Sequence, residues 1–357
     1  MPIHFSQERW QQIAHDYTAW WEGSLKRPLL HITSTGHDPA RPAPKVPNHH
    51  FMALHGLETL AADIIDARDY GLCTERYLGD AFPSTWLNFG AGSVAAYLGA
   101  AVERRDETVW FHPVVAKPIE DIEFAADPAN AWLLRTKEIA RAAMDRWHGT
   151  VQVGMADLGG AVDILSTFRP GSDLLTDVFL NPAHVHRLVQ QLHQEWFRSF
   201  DDINAVLRPR NPGYTAWTPI FSTDPYYILQ CDFAYMIGPD MFDEFVKPEL
   251  VQSCKRLTNP FYHLDGVGQL AHLDSLLSIP ELKGVQWVPG DGKPSWVNWP
   301  DVYRRIRDAG KRIQVWGSMA EVDRLIEELG SGEGVVAFIW VDKSEEGAAL
   351  EFLAKQA

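Results

Sequence analysis

The sequence predicts an α/β protein, a TIM (β/α)8 barrel with an elaborated N-terminal segment, and three observations carry that prediction. From about residue 150 onward, short β-rich runs alternate with amphipathic helical stretches, the pattern of strands joined by crossover helices into a parallel sheet. The 357 residues fit one barrel of about 250 residues with an addition at the N-terminus. No internal repeat and no break in composition marks a linker. The chain therefore reads as one domain, 1–357, with 1–70 as a helical and loop elaboration and 71–357 as the barrel body.

The N-terminal helix includes Trp10, Trp20 and Trp21 and precedes Leu29-Leu30-His31-Ile32-Thr33, a β-rich run placed to be the first strand. Residues 36–50 hold successive prolines, which forbid both helix and central strand, so this stretch is a loop. His49, His50 and His55 lie in or beside it without a ligand-bearing helix or strand, and solvation explains them better than a metal. The later strands are expected at 151–157, 214–221, 261–265, 284–288, 312–316 and 335–341. Helices are expected near 183–206, 239–256, 268–278, 299–309, 319–329 and 344–355, from apolar residues at three- and four-residue spacing. Asn181-Pro182 and Gly238-Pro239-Asp240 are helix openings, and Gly310 closes the helix that ends at Ala309.

Composition narrows the function. Lys plus Arg is 32 against 47 Asp plus Glu, a formal charge of -15, which repels phosphate backbones and anionic headgroups, so neither nucleic acid nor a membrane surface is an expected partner. No apolar run approaches the length of a membrane span, and the start Met1-Pro2-Ile3-His4 lacks the layout of a signal peptide, so a cytoplasmic location is expected. Cys73, Cys231 and Cys254 are too few and too scattered for a disulfide framework. No Walker sequence, no Gly-x-Gly-x-x-Gly after a strand and no Gly-x-Ser-x-Gly elbow is present, which leaves nucleotide-dependent phosphoryl transfer, dinucleotide redox chemistry and elbow-type hydrolysis without support.

In a parallel barrel the reactive groups follow the strands, so polar residues after each β run are the candidates. Asp157 follows the first of the later strands, and Ser222 and Asp224 follow the second. His263 and Asp265 come at the end of the third, where alternation puts both on one face and Tyr262 and Leu264 on the other. A His and a carboxylate at that spacing hold a divalent ion, or the carboxylate orients the imidazole as an acid or base. Cys231, before the helix opened by Gly238-Pro239, is the candidate thiolate that would complete a metal site with His263 and Asp265. The competing account is a buried His–Asp pair with no chemistry and a cysteine that merely packs. The stretch from Asp80 to Gly92, with Trp86 and Asn88, reads as a ligand-facing loop leading into a helix whose N-terminus holds a negative group. Trp217, Gln230 and Trp287 join Trp86 and Asn88 as expected substrate contacts, since large aromatics at strand ends commonly wall a concave site.

The run Ile237-Gly238-Pro239-Asp240-Met241-Phe242-Asp243-Glu244-Phe245-Val246-Lys247-Pro248 resembles the helix-opening signature of the uroporphyrinogen decarboxylase superfamily. That superfamily includes methylcobamide:coenzyme M methyltransferases. The stretch Asp80–Ala100 and the spacing to His263 are similar as well. The resemblance runs loosely over about residues 70–355 and is specific only in 231–270. It implies a TIM barrel. The Arg-rich N-terminal motif of the decarboxylases has no counterpart among residues 1–45, where Arg27 and Arg41 stand isolated, so tetrapyrrole decarboxylation is disfavoured. Where the corrinoid methyltransferases use a His-x-Cys pair and a distant C-terminal Cys for zinc, this chain has His263-Leu264-Asp265 and no cysteine after Cys254. An oxygen in place of a thiolate makes a harder site, less suited to activating a thiol such as coenzyme M. The whole is similar to the trimethylamine corrinoid methyltransferase-like members.

The resemblance implies a metal-assisted, corrinoid-linked methyltransferase or demethylase acting on a small molecule. Zn²⁺ would sit on His263 and Asp265 with Cys231; Asp80, Asp157, His263 and Asp265 are the expected catalytic groups. A corrinoid would arrive on a partner protein, because this chain has no Asp-x-His-x-x-Gly motif. The alternatives are a metal-free lyase or decarboxylase using Asp and His as acid and base, and a non-catalytic barrel that binds a small ligand in an aromatic cage. Exposed aromatics on a barrel commonly find a dimer partner, so a homodimer is expected.

Overall fold

Runs rich in β-branched and aromatic residues form the strands of the computed structural model, which describes Ile3 and residues 5–357. In chain order they are β1 (Leu29–Thr35), β2 (Arg76–Gly79), β3 (Ser84–Trp86), β4 (Ala101–Arg105), β5 (Thr108–His112), β6 (Gln152–Gly154), β7 (Tyr226–Gln230), β8 (Asn259–Asp265), β9 (Gly284–Val288), β10 (Arg312–Trp316) and β11 (Val335–Asp342). The main sheet runs β2-β1-β11-β10-β9-β8-β7, parallel throughout except for β2, which is antiparallel to β1. The strands β3 and β6 form a separate parallel pair, and β4 and β5 an antiparallel hairpin. The fold is therefore mixed α/β with a parallel sheet and many helices. The strand β1, inside the first 70 residues, is laddered to β11 over its whole length.

The expected strand at 214–221 is not one. Pro219 interrupts it, and a proline cannot donate to a ladder; residues 214–222 make a hairpin held by the bridge Tyr214–Ser222. The strand is the next run, Tyr226–Gln230, buried at every residue. Segment 211–216 instead lies along β6: Met155 N–H donates to Thr215 O at 2.9 Å, and Val153 N–H to Asn211 Oδ1 at 2.9 Å. The helix expected over 239–256 is divided into Pro239–Phe245 and Lys247–Arg256, because Pro248 removes a donor and favours a fresh first turn. The long helix after Asn181 spans Pro182–Leu207 and buries Leu188, Leu192, Trp196 and Ile203 on one face.

Helix Gln7–Glu22 is capped by the Ser6 side chain, which accepts from Arg9 N–H, and ends on Gly23 at φ 81°, a conformation that costs any residue with a Cβ. It packs where the strands begin. Tyr17 meets Phe82 and Phe221 at ring distances of 5.8 and 5.9 Å, Trp20 and Trp21 meet Phe261, and Arg312 Nε at the start of β10 donates to Trp20 O at 2.7 Å. The helix thus plugs the end of the sheet where the strands begin. Among the described residues no helix is long and apolar enough to cross a membrane.

Candidate functional site

Four neighbouring strands carry polar side chains at one level. The register pairs Gln230 with His263, His263 with Gln286 and Gln286 with Gln314, so these residues share a row across β7, β8, β9 and β10. His263 Nδ1 is hydrogen-bonded to Gln286 Oε1, and Gln286 Nε2 donates to Gln314 Oε1; both glutamines are fully buried. The row ends on Gln314 Nε2, which is buried and has no partner among the described residues. Trp217, from the 214–222 hairpin, stands edge-on to the His263 ring at 5.0 Å and lies 6.3 Å from Trp316.

Beyond this row, His263, Asp265 and Asp232 each offer a ligand atom, all within 4.8 Å of one another. His263 Nε2 lies 3.8 Å from Asp265 Oδ2. Alternation explains the set. Gln230 points inward, donating from Nε2 to Asp157 Oδ1 at 3.4 Å, so Asp232, two residues on, shares its side. The intervening Cys231 is buried, and its electrostatic neighbours include Glu249 of the helix behind the sheet. Its thiol is pushed well above the ordinary cysteine range by burial first and Asp163 second, and it is not among the atoms brought together.

The surrounding carboxyls are crowded and unneutralised. Asp157 is pushed up to about 7, chiefly by burial, although its carboxyl accepts from Gly159 N–H at 2.9 Å and Gly92 N–H at 3.4 Å. Asp163, on helix Ala161–Phe168, is pushed up to about 6 by burial and then by Asp232. Its Oδ1 accepts from Phe233 N–H at 2.8 Å, which fixes the turn that carries Asp232; its Oδ2 is buried without a partner among the described residues. Asp232 is open to solvent on one side yet shifted upward by the desolvation of its carboxyl, with Asp265 adding to the shift. Desolvation lowers His263, against the pull of Asp265 and the Gln286 hydrogen bond. Among the described residues none of these four carboxylates pairs with a Lys or Arg; the single ion contact is His263 with Asp265. Gly160 lets the loop close in, since a Cβ there would meet Gln230 O at 2.2 Å.

Other expected residues lie elsewhere. Asp80 is at the opposite end, where Arg27 Nη1 and Nη2 donate to its two oxygens at 2.8 and 2.9 Å and Leu30 N–H donates at 2.7 Å. Arg27, isolated in the sequence, also reaches Asp16 at 3.0 Å. Asn88 pins a loop, donating to His50 O and accepting from Gly90 N–H. Trp86 is half-buried on β3 beside Gly154. Trp287 follows the inward Gln286, so it points outward, where it is buried against Trp299 at 5.5 Å. His50 is exposed and His49 partly exposed, as expected of the loop, whereas His55 is buried with its ring 4.9 Å from that of His49. Sequence reasoning did not single out Asp163, Asp232, Gln286, Gln314 or Trp316. Extending the alternation rule from β8 to its neighbours finds Asp232 and Gln286.

No protein-family model matches the chain, and no curated protein matches it. Among solved structures, a methyltransferase from Methanosarcina mazei is similar to it with a TM-score of 0.57 over 91% of this chain and 92% of that one, at 15% sequence identity. A likeness at that identity establishes a shared fold.

Proposed function

We propose that the chain is a metal-assisted methyltransferase, working in the demethylating or methylating direction on a small molecule, at the C-terminal end of a (β/α)8 barrel whose wall is β1, β3 and β6–β11. The observation that carries this reading is the convergence of Asp232, His263 and Asp265 within 4.8 Å at the end where barrel enzymes keep their chemistry. A nitrogen and two carboxylates suit a divalent ion such as Zn²⁺ with a coordination position left for substrate. The unneutralised Asp163 and its orphaned Oδ2 add negative potential that favours a cation there. An ion so bound supplies Lewis acidity that lowers the pKa of a coordinated thiol or hydroxyl.

The protein's own residues do the rest. His263 and the two carboxylates hold the ion, Asp163 fixes the turn that presents Asp232, and Trp217 and Trp316 wall the space beside His263. Asp157, held near neutrality by burial, keeps or releases a proton beside Gln230. The corrinoid part of the reading rests on the superfamily resemblance, with the cofactor carried by a partner protein. Tyr235, Met236 and Trp340, exposed after β7 and at the end of β11, offer that partner apolar contacts at the same mouth. One observation favours a second reading, a metal-free lyase: a carboxyl with a pKa of about 7 is suited to act as a general acid.

The test is to mix the zinc-loaded protein with cob(I)alamin and methylated amines, ethers and thioethers, following methylcobalamin by its visible absorbance. Methyl transfer abolished in His263→Ala and Asp265→Asn is the expected result. Absence of transfer in both directions, with turnover of a carboxylic acid substrate by metal-free protein, would move the function to the lyase.

A further inference from the structure

We propose that Gln286, braced by Gln314, is a positioning residue that fixes which nitrogen of His263 carries the proton, leaving Nε2 as a lone-pair donor aimed at Asp232 and Asp265. The inference rests on the metal-site reading for its consequence and on hydrogen bonding alone for its geometry.

Two primary amides with no exposure are costly in the interior of a sheet unless their polar atoms are used. Here they form a directed chain. Gln286 spends its Nε2 donor on Gln314 Oε1, so the atom it turns to His263 is Oε1, which only accepts. A neutral imidazole has one N–H, and this arrangement requires it on Nδ1. The ring's Nε2 then faces the Asp265 oxygen at 3.8 Å, beyond hydrogen-bond length. A lone pair and a carboxylate that face each other across this gap are matched by a cation between them. An ordinary His–Asp pair would instead show Nε2–H donating at bonding distance. Trp217, edge-on at 5.0 Å and 88° to the ring, completes the fixation by restricting its rotation. The same register row that places Gln230, His263, Gln286 and Gln314 side by side sets the alignment. Metal-binding imidazoles ordinarily carry such a partner on the second nitrogen, most often a carboxylate or a backbone carbonyl; here buried amides serve.

Long-range proton–nitrogen correlation on protein labelled with ¹⁵N-histidine reads the tautomer directly, with His263 assigned by its loss in His263→Ala. Wild-type protein without metal, at a pH where the ring is neutral, is expected to show His263 protonated at Nδ1. Gln286→Leu is expected to release the ring to the Nε2–H form and to weaken zinc binding by about 10–100-fold, whereas Gln286→Glu, which still accepts, preserves both. An Nε2–H ring in the wild type overturns the inference, as does a Gln286→Leu variant with an unchanged tautomer. The tautomer is read in the wild type, so the test stands on a folded His263→Ala for assignment and does not depend on Gln286→Leu folding. An Nδ1–H ring in a protein that binds no metal supports the positioning role while contradicting the metal site itself.

Discussion

The two ends of the sheet use the same residue type in opposite ways. Where the strands begin, Asp80 is saturated: two bonds from Arg27 and one from Leu30 N–H, with Asp16 sharing the guanidinium. Where they end, Asp157, Asp163, Asp232 and Asp265 crowd together without a Lys or Arg partner among the described residues, and their pKa values, where shifted, move upward. Burial alone does not separate the two sets, since Asp80 and Asp157 are both buried. Compensation does. A carboxylate whose acceptor capacity is filled by the protein belongs to the fold, and one left facing like charges is waiting for a proton or a cation.

Breaking the saturated end should cost the most stability. Asp80→Ala leaves Arg27 without its principal partner and is expected to destabilise by about 3–5 kcal/mol, read as a lower denaturation midpoint, with zinc binding at the far end unchanged. Trp287→Ala, in the outer layer against Trp299, is expected to cost a similar amount, about 3–5 kcal/mol, again without loss of metal or ligand. Either substitution removing the metal would undo the division between the ends.

At the mouth the sign reverses. Folding raises the Asp157 pKa from the ordinary carboxylate value to about 7, so the folded chain binds this proton more tightly than the unfolded one. Its contribution to stability is fully present below about pH 4 and is lost as the pH rises through about 7. Asp157→Asn should flatten that slope and raise stability by about 1–4 kcal/mol at a pH of about 8, measured by urea unfolding across the pH range. A slope unchanged in the variant would assign it to another group. Trp217→Ala is the mildest, about 1 kcal/mol for a half-buried ring, with substrate affinity falling while zinc stays bound.

Much of this was legible in the sequence, and what was missed has a common cause. The pairing of His263 with Asp265 on one face follows from strand alternation, and the strands β8 to β11 sit near where their β-rich runs lie. The same alternation, carried to β7 and β9, places Cys231 and Trp287 outward and Asp232 and Gln286 inward. The true β7 was hidden because its aromatic run after Pro225 competes with the similar run at 214–221, and only Pro219 tells them apart. Asp80 looked catalytic because nothing local reveals its partner: Arg27 is 53 residues away in sequence and meets it only through the plug beneath the sheet. Long-range ion pairing is not written in spacing.

A cation site at the mouth is the central proposal. The most direct measurement is the metal content, by plasma mass spectrometry, of purified wild type, His263→Ala and Asp80→Asn. About one divalent ion per chain in the wild type and in Asp80→Asn, and none in His263→Ala, is the predicted result. Metal absent from the folded wild type after zinc loading, or retained at full occupancy in His263→Ala, would contradict it.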